Sequence, residues 1–366
     1  MRSPSFLVMT TPEIGSGAAG AGIDMPRLSP IPWTASGRCK ARCYDAGAAC
    51  AASPPIAMTA STRPTVSVLV SSYNYAAFVV EAIESVLAQT EAALEIIIVD
   101  DGSRDGSPAL LRQHYGTHPK VTLIEQANGG QLQAWITGFA QARGDIVALL
   151  DSDDRWNADY LQRIVDVYAA RPEVDFVYTN MQLFGDLDEP MFKPGPDRDL
   201  GLSILLNAYY HRFQGAATSA VSLRRALMAR LLTLPPERAA DWLSRPDDCI
   251  VYGADILGAH KVYLSDTLVG HREHGSNALK SFGPSPLRVY RHVVGSERML
   301  EFYRQQAGIT PRWLRMAKAE FRTKPAPTFW ELRAYSWLLF QAPMPLTKRI
   351  EHWVGMLGHY LKARRR

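Results

Sequence analysis

The chain has 366 residues, of which 47% are hydrophobic and 21% charged, and its net charge at pH 7 is +4. These values are ordinary for a soluble globular protein of one large domain or two folding units. A membrane-spanning chain is not expected either, since no apolar segment of the sequence reaches the length that crosses a bilayer.

Residues 1–62 are rich in Ala, Gly, Pro and Ser and lack a periodic apolar pattern, so we predict a disordered leader. Met58 lies just before the first ordered segment, so residues 1–57 are either a misplaced start or a dispensable leader. The leader holds three of the four cysteines without a His at zinc-finger spacing, which disfavours a structural metal. Without an export signal or a disulfide framework, a cytoplasmic protein is expected.

From Thr65 onward, short β-branched segments alternate with amphipathic ones. The strands are predicted in "TVSVLVSS", "LEIIIVDDGS", "KVTLIEQ", "DIVALLD" and "VDFVYTN", and the helices in "AFVVEAIESVLAQT", "DGSPALLRQHY", "GGQLQAWITGFAQARG" and "NADYLQRIVDVYAARP". This alternation predicts an α/β fold, a mostly parallel sheet flanked by helices. Residues 63–284 are interpreted as one domain with halves 63–181 and 182–284, followed by a helical and basic region, 285–366.

Three of the predicted strands end in polar segments: "SSYN" at 71–74, "DDGS" at 100–103 and "DSDD" at 151–154. Ligands bind beyond the carboxyl ends of parallel strands, so one site is expected there. Asp151 and Asp153 point to the same side if the backbone stays extended, and such a pair suits Mg²⁺ or Mn²⁺ carrying phosphates. The alternative is a helix cap by Asp154 or Asn157, since a bare D-x-D is frequent by chance.

The segment "VDDGSRDGS" has a similar double interpretation. Asp-Gly-Ser is typical of a turn in which Gly102 takes positive φ. A carboxylate at Asp100 or Asp101 is also suited to accept hydrogen bonds from a base or ribose, with Tyr73 stacking on the base.

Together, "VSVLVSSYN", "LEIIIVDDGSRDGS", "ANGGQ", "ARGDIVALLDSDD" and "RPDDCIVYGADILGAHKVYLSDTLVGHREHGSN" resemble a family 2 glycosyltransferase with a GT-A fold over residues 64–277. The resemblance implies that Ser71, Tyr73 and Asp101 contact the nucleoside of a nucleotide-sugar, with Asp100 beside them. It also implies that Asp151 contacts the ribose and that Asp153 ligates the metal.

In "RPDD" the resemblance makes Asp248 the general base of an inverting transfer, with Asp247 beside it; a capped helix start is the alternative. Arg272 and His274 match a basic segment that approaches the diphosphate or the metal, and His271 has a weaker claim. Trp135 and Ile136 replace an Arg-Asn pair of many relatives, which leaves the contacts of the donor sugar open. A processive signature is absent after "RPDD", which favours transfer of a single sugar.

The expected function is therefore transfer of one sugar from a nucleotide-sugar to a carbohydrate or lipid-linked acceptor, in cell-surface polysaccharide or glycoconjugate biosynthesis. No nucleic-acid partner is expected. The alternatives are a nucleotidyltransferase, although "SSYNYAAF" lacks the glycine and basic residues of a phosphate loop, and a non-catalytic nucleotide-sugar-binding protein.

The last helical region has two interpretations as well. Basic residues flank "TFWELRAYSWLLF" and the chain ends in "KARRR", a pattern that predicts peripheral association with the anionic inner face of the plasma membrane. Alternatively, Phe329, Trp330, Trp337 and Leu338 pack on the rest of the protein and the basic residues form a solvated face.

Overall fold

The structure is a computed structural model that describes residues 63–235, 245–274 and 285–365. All of these residues belong to one compact unit. The predicted leader, with its three cysteines, lies outside the described residues.

The strands of the described residues are β1 Val66–Ser72, β2 Glu95–Asp100, β3 Val121–Glu125, β4 Ile146–Asp151, β5 Arg155–Trp156, β6 Phe176–Gly185, β7 Glu189–Pro190, β8 Arg198–Gly201, β9 Val221–Arg224 and β10 Lys261–Glu273. They form a single mixed sheet in the order β3-β2-β1-β4-β9-β6-β10-β5, with β7 beside β6 and β8 beside β10. The strands β1 to β4 are parallel, β9 is antiparallel to β4 and β6, and β10 is parallel to β6.

Helices cover both faces of the sheet and make up most of the C-terminal region. Their bounds are α1 Val79–Leu87, α2 Ser107–Tyr115, α3 Gln131–Phe139, α4 Tyr160–Ala170, α5 Ile204–Tyr210, α6 Arg225–Leu231, α7 Asp247–Ile256, α8 Pro286–Gln306, α9 Ala317–Arg322, α10 Phe329–Gln341 and α11 Leu346–Ala363. The predicted α/β architecture and the helical C-terminal region are confirmed. Within the described ranges, no helix has the length and apolarity needed to span a bilayer.

The central strands β1, β2 and β4 have almost continuously apolar sequences because both of their faces are buried. Nearly every residue of β1, β2 and β4 is inaccessible to solvent, as expected for parallel strands with helices on both sides. On α1, the side chains of Val79, Ala82, Ile83 and Val86 enter this core. A rigid sheet of this kind fixes the positions of the residues that follow its strands.

The strand order reverses between β1 and β4, since β2 and β3 extend the sheet on one side and β4 on the other. Crevices that bind ligands lie at the carboxyl ends of the strands at such a reversal. The register places Ser71 opposite Asp151 and Ser72 opposite Asp100. We call the carboxyl ends of β1, β2 and β4 the ligand edge.

A second apolar core joins the C-terminal helices to the rest of the unit. It combines Leu205 and Leu206 of α5 with residues of α9, α10 and α11 such as Phe321, Leu338 and Met356. The domain boundary at residue 285 stays a prediction, since helix α5, which precedes this boundary, packs in the same core as the helices that follow it.

Candidate active site

Ser71 and Asp151, at the ends of β1 and β4, are linked by Gln131 of α3. The Nε2 atom of Gln131 donates to Ser71 Oγ at 3.1 Å and also to Asp151 Oδ1. The main-chain N of Asp151 donates to Ser219 Oγ at 3.0 Å. Gly130 takes φ 85° just before α3, a conformation that glycine adopts without strain. Gln131 was not predicted from the sequence, although it directly follows the "GG" turn.

Asp101 shapes the loop that leads into α3. Its carboxylate accepts hydrogen bonds from Gln126 Nε2 at 2.7 Å, Gly129 N at 2.9 Å and Gly130 N at 2.8 Å. A carboxylate offers about four acceptor positions, so Asp101 keeps some capacity for a ligand. Its contact with a nucleoside stays a prediction.

Asp100 and Tyr73 flank this loop. The Oδ1 atom of Asp100 accepts from Ser103 N at 2.9 Å, and Gly102 has φ 75°, as the predicted turn requires. Tyr73 is 44% exposed, so its ring is available for stacking on a planar ligand.

Asp153 lies against His274, the last residue described before the gap at 275–284. The distance from His274 Nε2 to Asp153 Oδ2 is 3.1 Å. The His274 ring also meets the rings of Tyr75 and Phe78 at centroid distances of 5.8 and 5.2 Å. Burial and the charge of Asp154 raise the pKa of Asp153, while the hydrogen bond from His274 opposes this shift. The structure thus brings together two residues that the sequence analysis singled out separately.

Asp154 is fully buried and is held by the end of β10. It accepts from Arg272 N at 2.8 Å and pairs with His271 Nδ1 at 3.0 Å. Burial disfavours the charged form of His271, but the hydrogen bond and the negative charge of Asp154 raise the pKa of His271 to about 9. His271, which had the weaker claim from the sequence, is therefore a cation at neutral pH beside the carboxylates.

The side chain of Arg272 supports the main chain of Asp153. Its Nε atom donates to the carbonyl oxygen of Asp153 at 2.9 Å. The guanidinium lies 4.6 Å from the ring centroid of Phe78 and 4.4 Å from that of Phe184, and it pairs with Glu81. The predicted contact of Arg272 with a diphosphate stays a prediction.

The ligand edge concentrates negative charge. Burial, followed by the charges of Asp153 and Asp154, raises the pKa of Asp151 well above its usual range. No group of three or more His, Cys, Asp or Glu residues that could hold a metal ion is found in the part of the chain that the structure describes. Mg²⁺ and Mn²⁺ need fewer protein ligands when they arrive with phosphates and water, so the Asp153 carboxylate is suited to be one ligand of such an ion.

Asp247 and Asp248 begin helix α7. Asp248 Oδ1 accepts from Arg245 Nη2 at 3.0 Å, and Asp248 Oδ2 lies 3.7 Å from His292 Nε2 of α8. Burial raises the pKa of Asp248, although Arg245 opposes this shift. Burial and the charge of Asp248 raise the pKa of Asp247 to about 6. The charge of Asp247 also contributes to the raised pKa of Asp151 across the ligand edge.

Two neighbours of Asp248 were not recognised in the sequence. Arg245 has φ 56°, a left-handed conformation that is uncommon outside glycine and often found at functional sites. His292 comes from α8, 44 residues further along the chain, and only the packing of α8 on α7 brings it near Asp248.

Comparison with known proteins gives a family match for part of the chain. Residues 67–227 match the model of the glycosyl transferase family 2. Residues 67–227 therefore belong to a glycosyl transferase family 2 domain. Ser71, Asp101, Asp151 and Asp153 lie inside the matched glycosyltransferase segment, whereas Asp248 and His274 follow it.

Relatives and solved structures extend the similarity. An uncharacterized glycosyltransferase of Nostoc sp. is 36% identical over 216 residues, which are 58% of this chain and 66% of that protein. Chondroitin synthase of Escherichia coli is 37% identical over 116 residues, 32% of this chain and 17% of that protein. The chain thus spans less than two thirds of these relatives.

The structure of S. aureus TarS 1-349 in complex with UDP-GlcNAc matches with a TM-score of 0.51 and 17% sequence identity. The match covers 82% of this chain and 81% of that chain. This likeness confirms the predicted GT-A fold of the glycosyltransferase.

Proposed function

We propose that this glycosyltransferase transfers a single sugar from a nucleotide-sugar to a carbohydrate or lipid-linked acceptor, with inversion at the anomeric carbon. The observation that supports this most is the convergence of Ser71, Asp151 and the Asp153–His274 pair at the reversal of strand order, where α/β sheets bind nucleotides. The similarity to chondroitin synthase supports an acceptor in polysaccharide biosynthesis.

The donor is proposed to lie along the ligand edge. Tyr73 stacks on the base, Asp101 and Asp100 contact the nucleoside, and Asp151 with Ser71 contacts the ribose. Since the TarS structure holds UDP-GlcNAc, UDP-sugars are the first donors to test.

Asp153 and His274 are proposed to hold Mg²⁺ or Mn²⁺, an ion that would neutralise the charge on the departing diphosphate when bound. His271, as a cation, balances part of the charge of Asp154 before any ligand arrives. Metal dependence follows from this proposal and is tested with chelator.

Asp248 is proposed to be the general base. The oxygen of the acceptor hydroxyl forms a bond to the anomeric carbon while the bond from that carbon to the diphosphate oxygen breaks, and the hydroxyl proton passes to Asp248. The raised pKa of Asp248 improves its match to a proton from a hydroxyl, and Arg245 keeps the carboxylate oriented. Arg272 holds the main chain of Asp153 in position and takes no part in the transfer reaction itself.

The test is a screen of nucleotide-sugars for hydrolysis and transfer with Mn²⁺, with and without chelator, on the wild-type protein and Asp248→Asn. We expect Asp248→Asn to bind the donor as wild type does and to lose transfer. Asp266→Asn is the matched control, because Asp266 is exposed and pairs with Arg163 away from the site. Full transfer by Asp248→Asn would overturn the base assignment, and donor binding without any turnover in wild type would favour the non-catalytic alternative.

A further inference from the structure

The outer faces of α10 and α11, which we call the tail hairpin, expose large apolar side chains in two helical stripes. They are Trp330, Trp337 and Phe340 on α10, and Leu346, Ile350, Val354 and Leu361 on α11, each between 38% and 61% exposed. The spacing of three, four or seven residues between neighbouring members places each set on one side of its helix. Of the four residues in the packing interpretation, only Leu338 is buried, whereas Phe329, Trp330 and Trp337 are exposed.

Helices α10 and α11 are in contact with each other. Trp353 of α11 donates from Nε1 to Ser336 Oγ of α10 at 3.1 Å, so the helices meet along this line. Beside it lies an open groove of about 560 Å³ whose lining includes Trp330, Trp337 and Trp353. The inner faces of both helices, with Leu339 and Met356, already pack in the second core. The ring of Tyr210 on α5 contacts one side of Trp330 and Trp337, at centroid distances of 6.2 and 5.4 Å, while both Trp side chains stay 39% or more exposed.

Positive charge surrounds this apolar surface. Residues 311–366 contain twelve Lys or Arg residues and three Glu residues, a difference of +9, while the whole chain has a net charge of +4. Glu320 and Glu331 are buried, so Glu351 is the exposed acid among the described residues of this segment. Arg333, Lys348 and Lys362 are exposed on or beside the two stripes.

We propose that the tail hairpin docks the protein on the surface of an anionic lipid bilayer. Its aromatic and aliphatic side chains enter the boundary between headgroups and acyl chains, and its basic side chains contact lipid phosphates. In this proposal the tail hairpin holds the catalytic domain beside a membrane.

Two other occupants fit the surface less well. A glycan stacks on aromatic rings and needs many polar partners, whereas the α11 stripe consists of Leu, Ile and Val. A second copy of the chain brings two strongly basic segments together, and like charges at an interface disfavour association. An acidic bilayer satisfies both the aliphatic stripe and the charge.

The experiment is sedimentation of the full chain with vesicles of phosphatidylcholine alone and of phosphatidylcholine mixed with phosphatidylglycerol. We expect binding to the acidic vesicles that weakens at high salt, and a loss of about tenfold or more in the double variant Trp337→Glu, Ile350→Glu. The matched control is Leu94→Glu, because Leu94 is exposed to a similar degree in the sheet domain and is not part of the hairpin. This control is expected to bind as wild type does.

Equal binding of the double variant, or no binding of wild type to acidic vesicles, overturns the proposal. A wild-type dimer in light scattering that the double variant dissociates, without vesicle binding, shows instead that a second copy covers the surface. Thermal unfolding and donor binding check that the double variant is folded. If it is not, Lys362→Glu with Arg364→Glu tests the charge instead and is expected to weaken vesicle binding.

Discussion

Two regions of the molecule bury charged side chains, and they balance the charge differently. Under the C-terminal helices, Lys261 Nζ pairs with Asp255 at 2.7 Å and donates to the carbonyls of Val251 and Gln214. Lys324 Nζ donates to Leu200 O and Ser203 Oγ and lies 3.5 Å from Glu331. Here the chain itself supplies the opposite charge and the hydrogen bonds.

At the ligand edge, carboxylates face one another. Asp151 and Asp153 both have raised pKa values because burial and neighbouring acids disfavour their charged forms. Such an arrangement is unfavourable for the free protein and is typical of a site that binds a cationic or metal-bearing ligand. The difference teaches that balanced buried charge marks structure in this chain, whereas excess charge of one sign marks the candidate site.

Lys261→Met tests the balanced region most strongly. Removing one partner leaves a buried, unpaired carboxylate at Asp255, so we expect a loss of about 3–5 kcal/mol in the free energy of unfolding, measured by denaturant titration. The double variant Lys261→Met, Asp255→Leu removes both charges and should recover most of the loss. Lys348→Met, in an exposed pair with Glu351, is the control and should change stability by less than about 1 kcal/mol. A loss in the control as large as in Lys261→Met would contradict the comparison.

Asp153→Asn tests the unbalanced region. We expect a loss of about 10²-fold or more in sugar transfer, because a neutral amide binds a divalent cation poorly. The unfolding free energy of the unliganded protein should not fall, since a repulsive charge is removed. Activity assays with Mn²⁺ and denaturant titration without it measure the two effects, with Asp266→Asn as control. A variant that is fully active, or markedly less stable, argues against a ligand-binding role.

Asp247→Asn probes the same region through pH. The pKa of Asp247 is raised to about 6 in the folded protein, so its ionisation costs stability progressively as pH rises from the unfolded pKa towards 6, and the full cost is present above 6. At pH 8 the variant should be more stable than wild type by about 1–3 kcal/mol. The difference should shrink as pH falls through 6 and vanish below about pH 3, where the carboxyl is protonated in both states. Unfolding curves at several pH values measure this, and an equal difference at all pH values would contradict the pKa assignment.

Thr328→Ala gives the smallest expected effect. Thr328 and Glu331 form a reciprocal capping box at the start of α10, and Glu331 also faces Lys324. Loss of the cap should lower the unfolding free energy by about 1 kcal/mol without changing donor binding. Thr347→Ala, on the exposed side of α11, serves as control, and reduced donor binding in Thr328→Ala would show that the two regions are coupled.

The sequence was sufficient for features that depend on local pattern. The strands from β1 to β4 and their intervening helices follow from apolar period, and the reversal at β1 and β4 explains why polar strand ends meet. Contacts between distant segments were not predictable in this way. Asp154 and His271 are 117 residues apart and meet only because β10 pairs with β5 and β6.

The burial of charged side chains in the C-terminal region was equally hard to predict from the sequence. Lys324 belongs to a basic segment that the sequence indicates to be solvated. It is buried, because Leu200 O and Ser203 Oγ accept its hydrogen bonds and Glu331 lies 3.5 Å away. Conversely, the sequence left both a core and a surface position open for Trp330 and Trp337. The side of α10 that packs in the second core decides between these positions. The spacing of apolar residues shows which side chains share one face of a helix, but it does not show which face packs against the rest of the protein.

Strand β10 is long enough to reach from the balanced region around Lys261 to the ligand edge. It runs for 13 residues, with Lys261 at its start and His271 near its end. Its register against β6 shifts twice between Leu264 and Val269. Because an irregularity resets which face a side chain points to, the two ends are aligned independently. A substitution that shifts the register around Lys261 is therefore expected to leave His271 beside Asp154.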